Sequence, residues 1–148
     1  MTENSLNLLL ADDDMDDCFL FKEALKGLPI SAKLTTVNDG AQLMQLLSAK
    51  ESLLPDALFL DLNMPRKTGF ECLSEIKAID KLMNLPVIIF STSFDIDVVN
   101  LLYEKGAYYY ICKPGKFDKL KKVIFEAVTL SSQSKLTQPS RDKFILQP

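Results

Sequence analysis

"LLLADDDMDDC", Leu8 to Cys18, passes from an unbroken apolar run into five aspartates within the six positions Asp12 to Asp17. Neighbouring carboxylates repel and raise one another's pKa unless something positive is held between them. A buried strand that ends in such a cluster asks which cation the rest of the chain brings to it.

Outward from that stretch, short apolar runs alternate with helical patterns. "LNLLLA" reads as a strand and "DDCFLFKEALKGLP" as a helix, with Leu20, Ala24 and Leu28 four apart, Phe21 and Leu25 alongside, and Gly-Leu-Pro as the stop. "AKLTTVND" and "AQLMQLLSAK" repeat the unit, with Leu43, Leu46 and Leu47 on one helical side. "DALFLDL" and "FECLSEIKAI" follow, with Cys72 or Leu73, Ile76 and Ile79 at helical spacing. "PVIIFSTS" then pairs with "DIDVVNLLYEKG", and "AYYYICKP" with "FDKLKKVIFEAVTL", where Leu120, Val123, Ile124 and Ala127 face inward. Strands that are apolar throughout suit a parallel sheet covered on both faces, and strict alternation with helices selects a doubly wound α/β layer.

The 148 residues suffice for one domain with a sizeable core, and a formal charge of -3 offers no broad basic field for nucleic acid or anionic membrane. The start, "MTENSLNLLLADDD", lacks a basic flank and a long enough apolar run for a signal peptide or membrane span, so a cytoplasmic protein is expected. Cys18, Cys72 and Cys112 are odd in number and far apart, which indicates reduced packing residues rather than disulfides or a thiolate metal site. With no histidine in the chain, acid–base, metal and phosphoryl chemistry must use carboxylates, hydroxyls, lysine or a partner.

In doubly wound sheets, ligands bind beyond the carboxyl ends of the strands. At those ends stand Asp12 and Asp13, then Asp61 with Asn63, then Ser91 and Thr92, then Lys113-Pro114. Three carboxylates in one pocket repel until a divalent cation arrives, and an all-oxygen donor set suits Mg2+, with Mn2+ as the substitute. Asp14, Asp16 and Asp17 have a plainer reading as acidic residues complementing the positive end of the first helix.

At Asp12-Asp13, "DLNMPRKTG", "FSTS" and "YYYICKP", the sequence resembles the receiver domain of two-component response regulators over Leu6 to Leu130. The stand-alone kind, chemotaxis-regulator-like or phytochrome-partner-like, is the nearer match. The resemblance implies a flavodoxin-like, five-stranded parallel sheet of order 2-1-3-4-5 with helices on both faces. It implies Asp61 as phosphoacceptor, charged by the phosphohistidine of a sensor histidine kinase or phosphotransfer protein. Asp12, Asp13, Asp61 and the backbone carbonyl of Asn63 would hold the metal, and Lys113 and Ser91 would meet the phosphoryl oxygens. Ser91 and Tyr110 would form the switch, with Tyr110 swinging inward. The surface they alter would be the fourth helix, fifth strand and fifth helix, where Tyr103, Lys105, Tyr109, Lys119 and Lys122 are expected to be exposed and a downstream protein to bind; a homodimer stays open. The Lys113-Pro114 bond, cis in the family, is put in question here by the extra residue of "KPGKF". Thr68 stands where the family has "DG", and Asn63 and Ser93 occupy places that tune acyl-phosphate hydrolysis.

Residues 1–130 are thus assigned to the receiver, and 131–148, "SSQSKLTQPSRDKFILQP", to a polar tail with no separate output domain. Its three adjacent apolar residues, Phe144, Ile145 and Leu146, suggest docking on the domain or on a partner. Two other classes compete with a phosphoacceptor signalling protein, which has no turnover beyond its own phosphorylation and dephosphorylation. A phosphate-independent receiver-like binding module would not need the intact acidic, hydroxyl and lysine set. An Asp-nucleophile phosphatase usually carries a second aspartate two positions on, where this chain has Asn63.

Overall fold

The computed structural model describes residues 5–49, 54–133 and 137–147. Within them the expected elements form: β1 (Leu6–Ala11), α1 (Met15–Lys26), β2 (Ala32–Val37), α2 (Gly40–Ser48), β3 (Ala57–Leu60), α3 (Gly69–Ala78), β4 (Val87–Ser91), α4 (Ile96–Glu104), β5 (Tyr109–Cys112) and α5 (Phe117–Gln133). A 3-10 turn, Arg141–Lys143, and a short β6 (Ile145–Leu146) follow. All strand pairs are parallel and their order is β2-β1-β3-β4-β5-β6. The expected 2-1-3-4-5 arrangement is therefore present, extended by one strand from the segment assigned to the tail. No helix among the described residues is long and apolar enough to cross a membrane.

β3 and β4 are buried at every position because both of their faces are covered. On one side, Leu8, Leu10, Phe59, Ile88 and Phe90 pack with Phe21, Ala24, Val123, Ile124 and Ala127, so α1 and α5 form that layer. Phe21 meets Phe59 and Phe90 edge-on at centroid distances of 4.8 and 5.5 Å, a favourable geometry for aromatic quadrupoles. On the other side, Leu9, Leu58, Leu60 and Ile89 pack with Leu43, Leu47, Leu73, Ile76 and Leu102 of α2, α3 and α4.

The apolar stripe of α1 differs from the expected one. Cys18, Phe21, Ala24 and Leu25 are buried, whereas Leu20 is 42% exposed. The Asp14 side chain caps the helix by accepting from the backbone N–H groups of Asp16 and Asp17, and the resulting phase turns Phe21 rather than Leu20 onto the sheet. Likewise Met44 joins Leu43 and Leu47 while Leu46 is only partly buried, and Ile79 lies exposed at the end of α3. Thr68 and Glu71 form a reciprocal capping box that starts α3, which gives Thr68 its own local role.

Residues 137–147 return to the domain, and α5 itself continues to Gln133, past the expected boundary at 130. Phe144 is fully buried in the α2–α4 layer. Its ring lies 5.1 Å from that of Tyr103 and 6.4 Å from that of Tyr110. Its carbonyl accepts the Tyr110 backbone N–H at 2.9 Å, and Ile145 and Leu146 pair with Tyr110 and Ile111. The Tyr103 hydroxyl donates to the Pro139 carbonyl at 2.8 Å. Docking of Phe144, Ile145 and Leu146 on the domain is thus seen directly. Tyr103 and Tyr109 are not the exposed residues expected: Tyr103 is half-covered by this returning segment, and Tyr109 is buried because alternation along β5 points it at α5. Phe144→Ala is expected to cost about 3–5 kcal/mol by removing a fully buried ring, as read by urea unfolding; a loss below about 1 kcal/mol would mean the segment is not part of the stable core.

Candidate functional site

The strand ends place the chemistry. Asp12 and Asp13 leave β1, Asp61 leaves β3, Ser91 ends β4 and Lys113 leaves β5. Ladder hydrogen bonds run on past the strand ends and fix these backbones: Asp12 N–H to Val37 at 3.0 Å, Asp61 N–H to Ala11 at 2.9 Å and Lys113 N–H to Ser91 at 2.8 Å. Gly69 packs so closely on the Asp61 carbonyl that a Cβ there would overlap it, so only glycine lets α3 begin at this point without displacing Asp61.

Carboxylate oxygens of Asp12, Asp13 and Asp61 lie within 4.8 Å of one another, with Asp12 and Asp61 buried and Asp13 exposed. Burial, then the charge of Asp12, raise the Asp61 carboxyl pKa from 3.8 to about 7, against the opposing pull of Lys113 and of the Asn63 backbone hydrogen bond. Lys113 Nζ stands 2.7 Å from Asp12 Oδ2, 2.8 Å from Asp17 Oδ2 and 3.9 Å from Asp61 Oδ2. Burial alone would lower its pKa, but the hydrogen bonds to Asp12 and Asp17 and the nearby carboxylate charge outweigh that and keep it protonated. The cation demanded by the opening aspartates is thus partly internal.

The donor set fits a hard divalent cation, since its ligand atoms are carboxylate oxygens open to solvent through Asp13. The nearby thiol of Cys18 is no competing ligand: it donates to the Asp12 carbonyl, and burial pushes its pKa up to about 11. Among the cysteines expected to be packing residues, Cys18 and Cys72 are buried, but Cys112 is exposed where β5 leaves the sheet.

Ser91 is fully buried, and its hydroxyl lies 3.2 Å from the Ser93 hydroxyl and accepts the Ser93 backbone N–H at 3.3 Å. Tyr110 already faces inward, with its hydroxyl donating to the Ser93 carbonyl and its ring edge-on to Phe94 at 6.0 Å. The two expected switch residues therefore meet at one residue, Ser93. Asn63 is exposed, with a backbone hydrogen bond to the Asp61 carboxylate. Lys113-Pro114 is trans, like every peptide bond among the described residues; Gly115, with open space around it, lengthens the connection to α5.

The sequence profile of the response regulator receiver domain matches residues 8–125. The chain belongs to the response regulator receiver family. The receiver is 34% identical over 121 residues to response regulator Rcp1 of Synechocystis, an alignment covering 79% of this chain and 82% of Rcp1. A solved structure of manganese-bound Rcp1 superposes with a TM-score of 0.75 at 31% identity, covering 91% of this chain and 99% of the other. A solved structure of the phosphorylated cyanobacterial phytochrome response regulator RcpA gives a TM-score of 0.78 at 32% identity, covering 93% and 100%. Receiver domains hold Mg2+ or Mn2+ at an acidic pocket, and Asp12, Asp13 and Asp61 form an acidic cluster in this chain.

Asp17 is the functional candidate that sequence reasoning missed. Its position in the first turn of α1 is accounted for by the helix dipole alone. The Lys113 partner that gives it another role lies 96 residues away.

Proposed function

We propose that the receiver accepts a phosphoryl group on Asp61 from a phosphohistidine of a sensor histidine kinase or phosphotransfer protein. The observation that carries this reading is a buried Asp61 grouped with Asp12 and Asp13 and facing the Lys113 ammonium at 3.9 Å. An Asp61 carboxylate oxygen attacks phosphorus, the bond from phosphorus to the donor's ring nitrogen breaks, and the released imidazole takes up a proton. Asp12, Asp13, Asp61 and the Asn63 backbone carbonyl would hold Mg2+, or Mn2+ in its place. When bound, the ion neutralises the carboxylates and the equatorial phosphoryl oxygens. Lys113 supplies a fixed positive charge to one phosphoryl oxygen, and Ser91 turns its hydroxyl from Ser93 toward another. Asn63 and Ser93, both uncharged, occupy the places that in the family tune hydrolysis of the acyl phosphate.

Ser91 leaving Ser93 removes one of the contacts that organise the loop to which Tyr110 is bonded. That couples the phosphoryl group to a packing change at α4, β5 and α5. Lys105, Lys119 and Lys122 are exposed on that face, and we assign it to a downstream protein. The likeness to Rcp1 and to the phytochrome regulator RcpA supports a kinase of the phytochrome type as donor.

Incubation with acetyl phosphate and Mg2+ is expected to add one phosphoryl mass per chain, absent without Mg2+ and absent in Asp61→Asn. An unmodified wild type under these conditions would favour a site charged only by its kinase, or a phosphate-independent binding module.

A further inference from the structure

We infer that Asp17 is a positioning residue that holds Lys113 back from the phosphoacceptor and so sets how readily the site takes up a phosphoryl group; this rests on the reading of Asp61 given above. The ammonium has three N–H donors. Two bond Asp12 Oδ2 at 2.7 Å and Asp17 Oδ2 at 2.8 Å, while Asp61 Oδ2 at 3.9 Å is beyond hydrogen-bond reach. In this resting arrangement Lys113 is an electrostatic neighbour of Asp61 rather than its bonded partner. Any further approach of the ammonium to Asp61, or to a phosphoryl oxygen carried on it, is opposed by these two carboxylate partners.

Those two partners differ. Asp12 belongs to the carboxylate cluster suited to a divalent cation, so its charge is shared once an ion is held there. Asp17 stands outside that cluster, on α1, and only partly buried, with 27% of its side chain exposed. It therefore goes on attracting Lys113 when Asp12 is engaged elsewhere. Asp16, in the same helical turn, carries the same charge without contacting Lys113. The pair Asp16 and Asp17 thus separates a specific contact from the general field of the acidic turn.

The test is calorimetric titration with beryllofluoride, a stable mimic of the phosphoryl group, in the presence of Mg2+, using the full chain. Removing one partly exposed ion pair is worth a factor of about three to five at the upper end of its range. Asp17→Asn is expected to bind beryllofluoride tighter by about that factor, Asp17→Glu to stay near wild type, and Asp16→Asn to stay within about twofold. Asp17→Ser replaces the Asn variant if that one melts early. Unchanged or weaker binding in Asp17→Asn overturns the inference, as does equal tightening in Asp16→Asn, which would show a charge effect without the contact. A wild type that takes no beryllofluoride overturns the phosphoacceptor reading itself, and the role of Asp17 falls with it.

Discussion

Lys113→Met should destabilise the metal-free protein by about 3–5 kcal/mol at pH 8, the cost of leaving buried charge without its partner. Lys113 is 9% exposed and sits among Asp12, Asp17 and Asp61, of which Asp12 is fully buried. Methionine matches much of the lysine stem, so the change removes charge and hydrogen bonds more than packing. The wild-type ammonium offsets the mutual repulsion of the acidic cluster, and a divalent cation replaces it in that role. Millimolar Mg2+ should therefore recover a larger share of stability in Lys113→Met than it adds to the wild type. Urea unfolding with and without Mg2+ checks this; an equal increment in both proteins would show that lysine and metal do not serve the same carboxylates.

The second large effect is on pH. Metal-free Asp61 has its pKa raised from 3.8 to about 7, mainly by burial and then by Asp12. A carboxyl with a raised folded-state pKa binds more protons folded than unfolded, so stability falls as pH rises between the two values. The contribution is fully present below about pH 4 and lost by about pH 7. A shift of roughly three units corresponds to an upper bound on the order of 4 kcal/mol. Asp61→Asn should flatten that slope and leave the variant more stable than wild type at pH 8 but not at pH 4.5. Mg2+ competes with the proton, so its affinity for the wild type should fall about tenfold per unit below pH 7. Thermal melts and Mg2+ titrations across pH 4.5–8.5 measure both; a wild-type profile parallel to that of Asp61→Asn would place the Asp61 pKa in the ordinary range.

Much of this is legible in the sequence. The apolar runs at Leu8, Leu58 and Ile88 fall in strands because fully covered parallel strands have no polar face to interrupt them. Asp12, Asp13, Asp61, Ser91 and Lys113 were legible because a chemical position recurs at one strand end after another. Helix phase was less so: on α1, Leu20 and Phe21 are equally apolar, and only the Asp14 cap and the sheet decide which turns inward. Tyr109 and Tyr110 look alike in sequence, and alternation sends one toward α5 and the other toward Phe144 and Phe94. β6 is two residues long, below any periodic signal, and Phe144-Ile145-Leu146 showed only that something apolar had to dock. Asp17 was hidden because helix-dipole stabilisation already explains an acidic first turn, and its bond to Lys113 is a product of the tertiary fold.

A phosphoryl group resident on Asp61 is an acyl phosphate, and chemical trapping locates it. Borohydride cleaves an acyl phosphate by reducing the carbonyl, which turns the aspartate into homoserine. Treating the acetyl phosphate adduct in this way and mapping peptides by tandem mass spectrometry should yield homoserine at position 61 and nowhere else. Homoserine at Asp12, Asp13 or Asp17 with position 61 intact would contradict the account, as would a phosphoryl mass that resists borohydride.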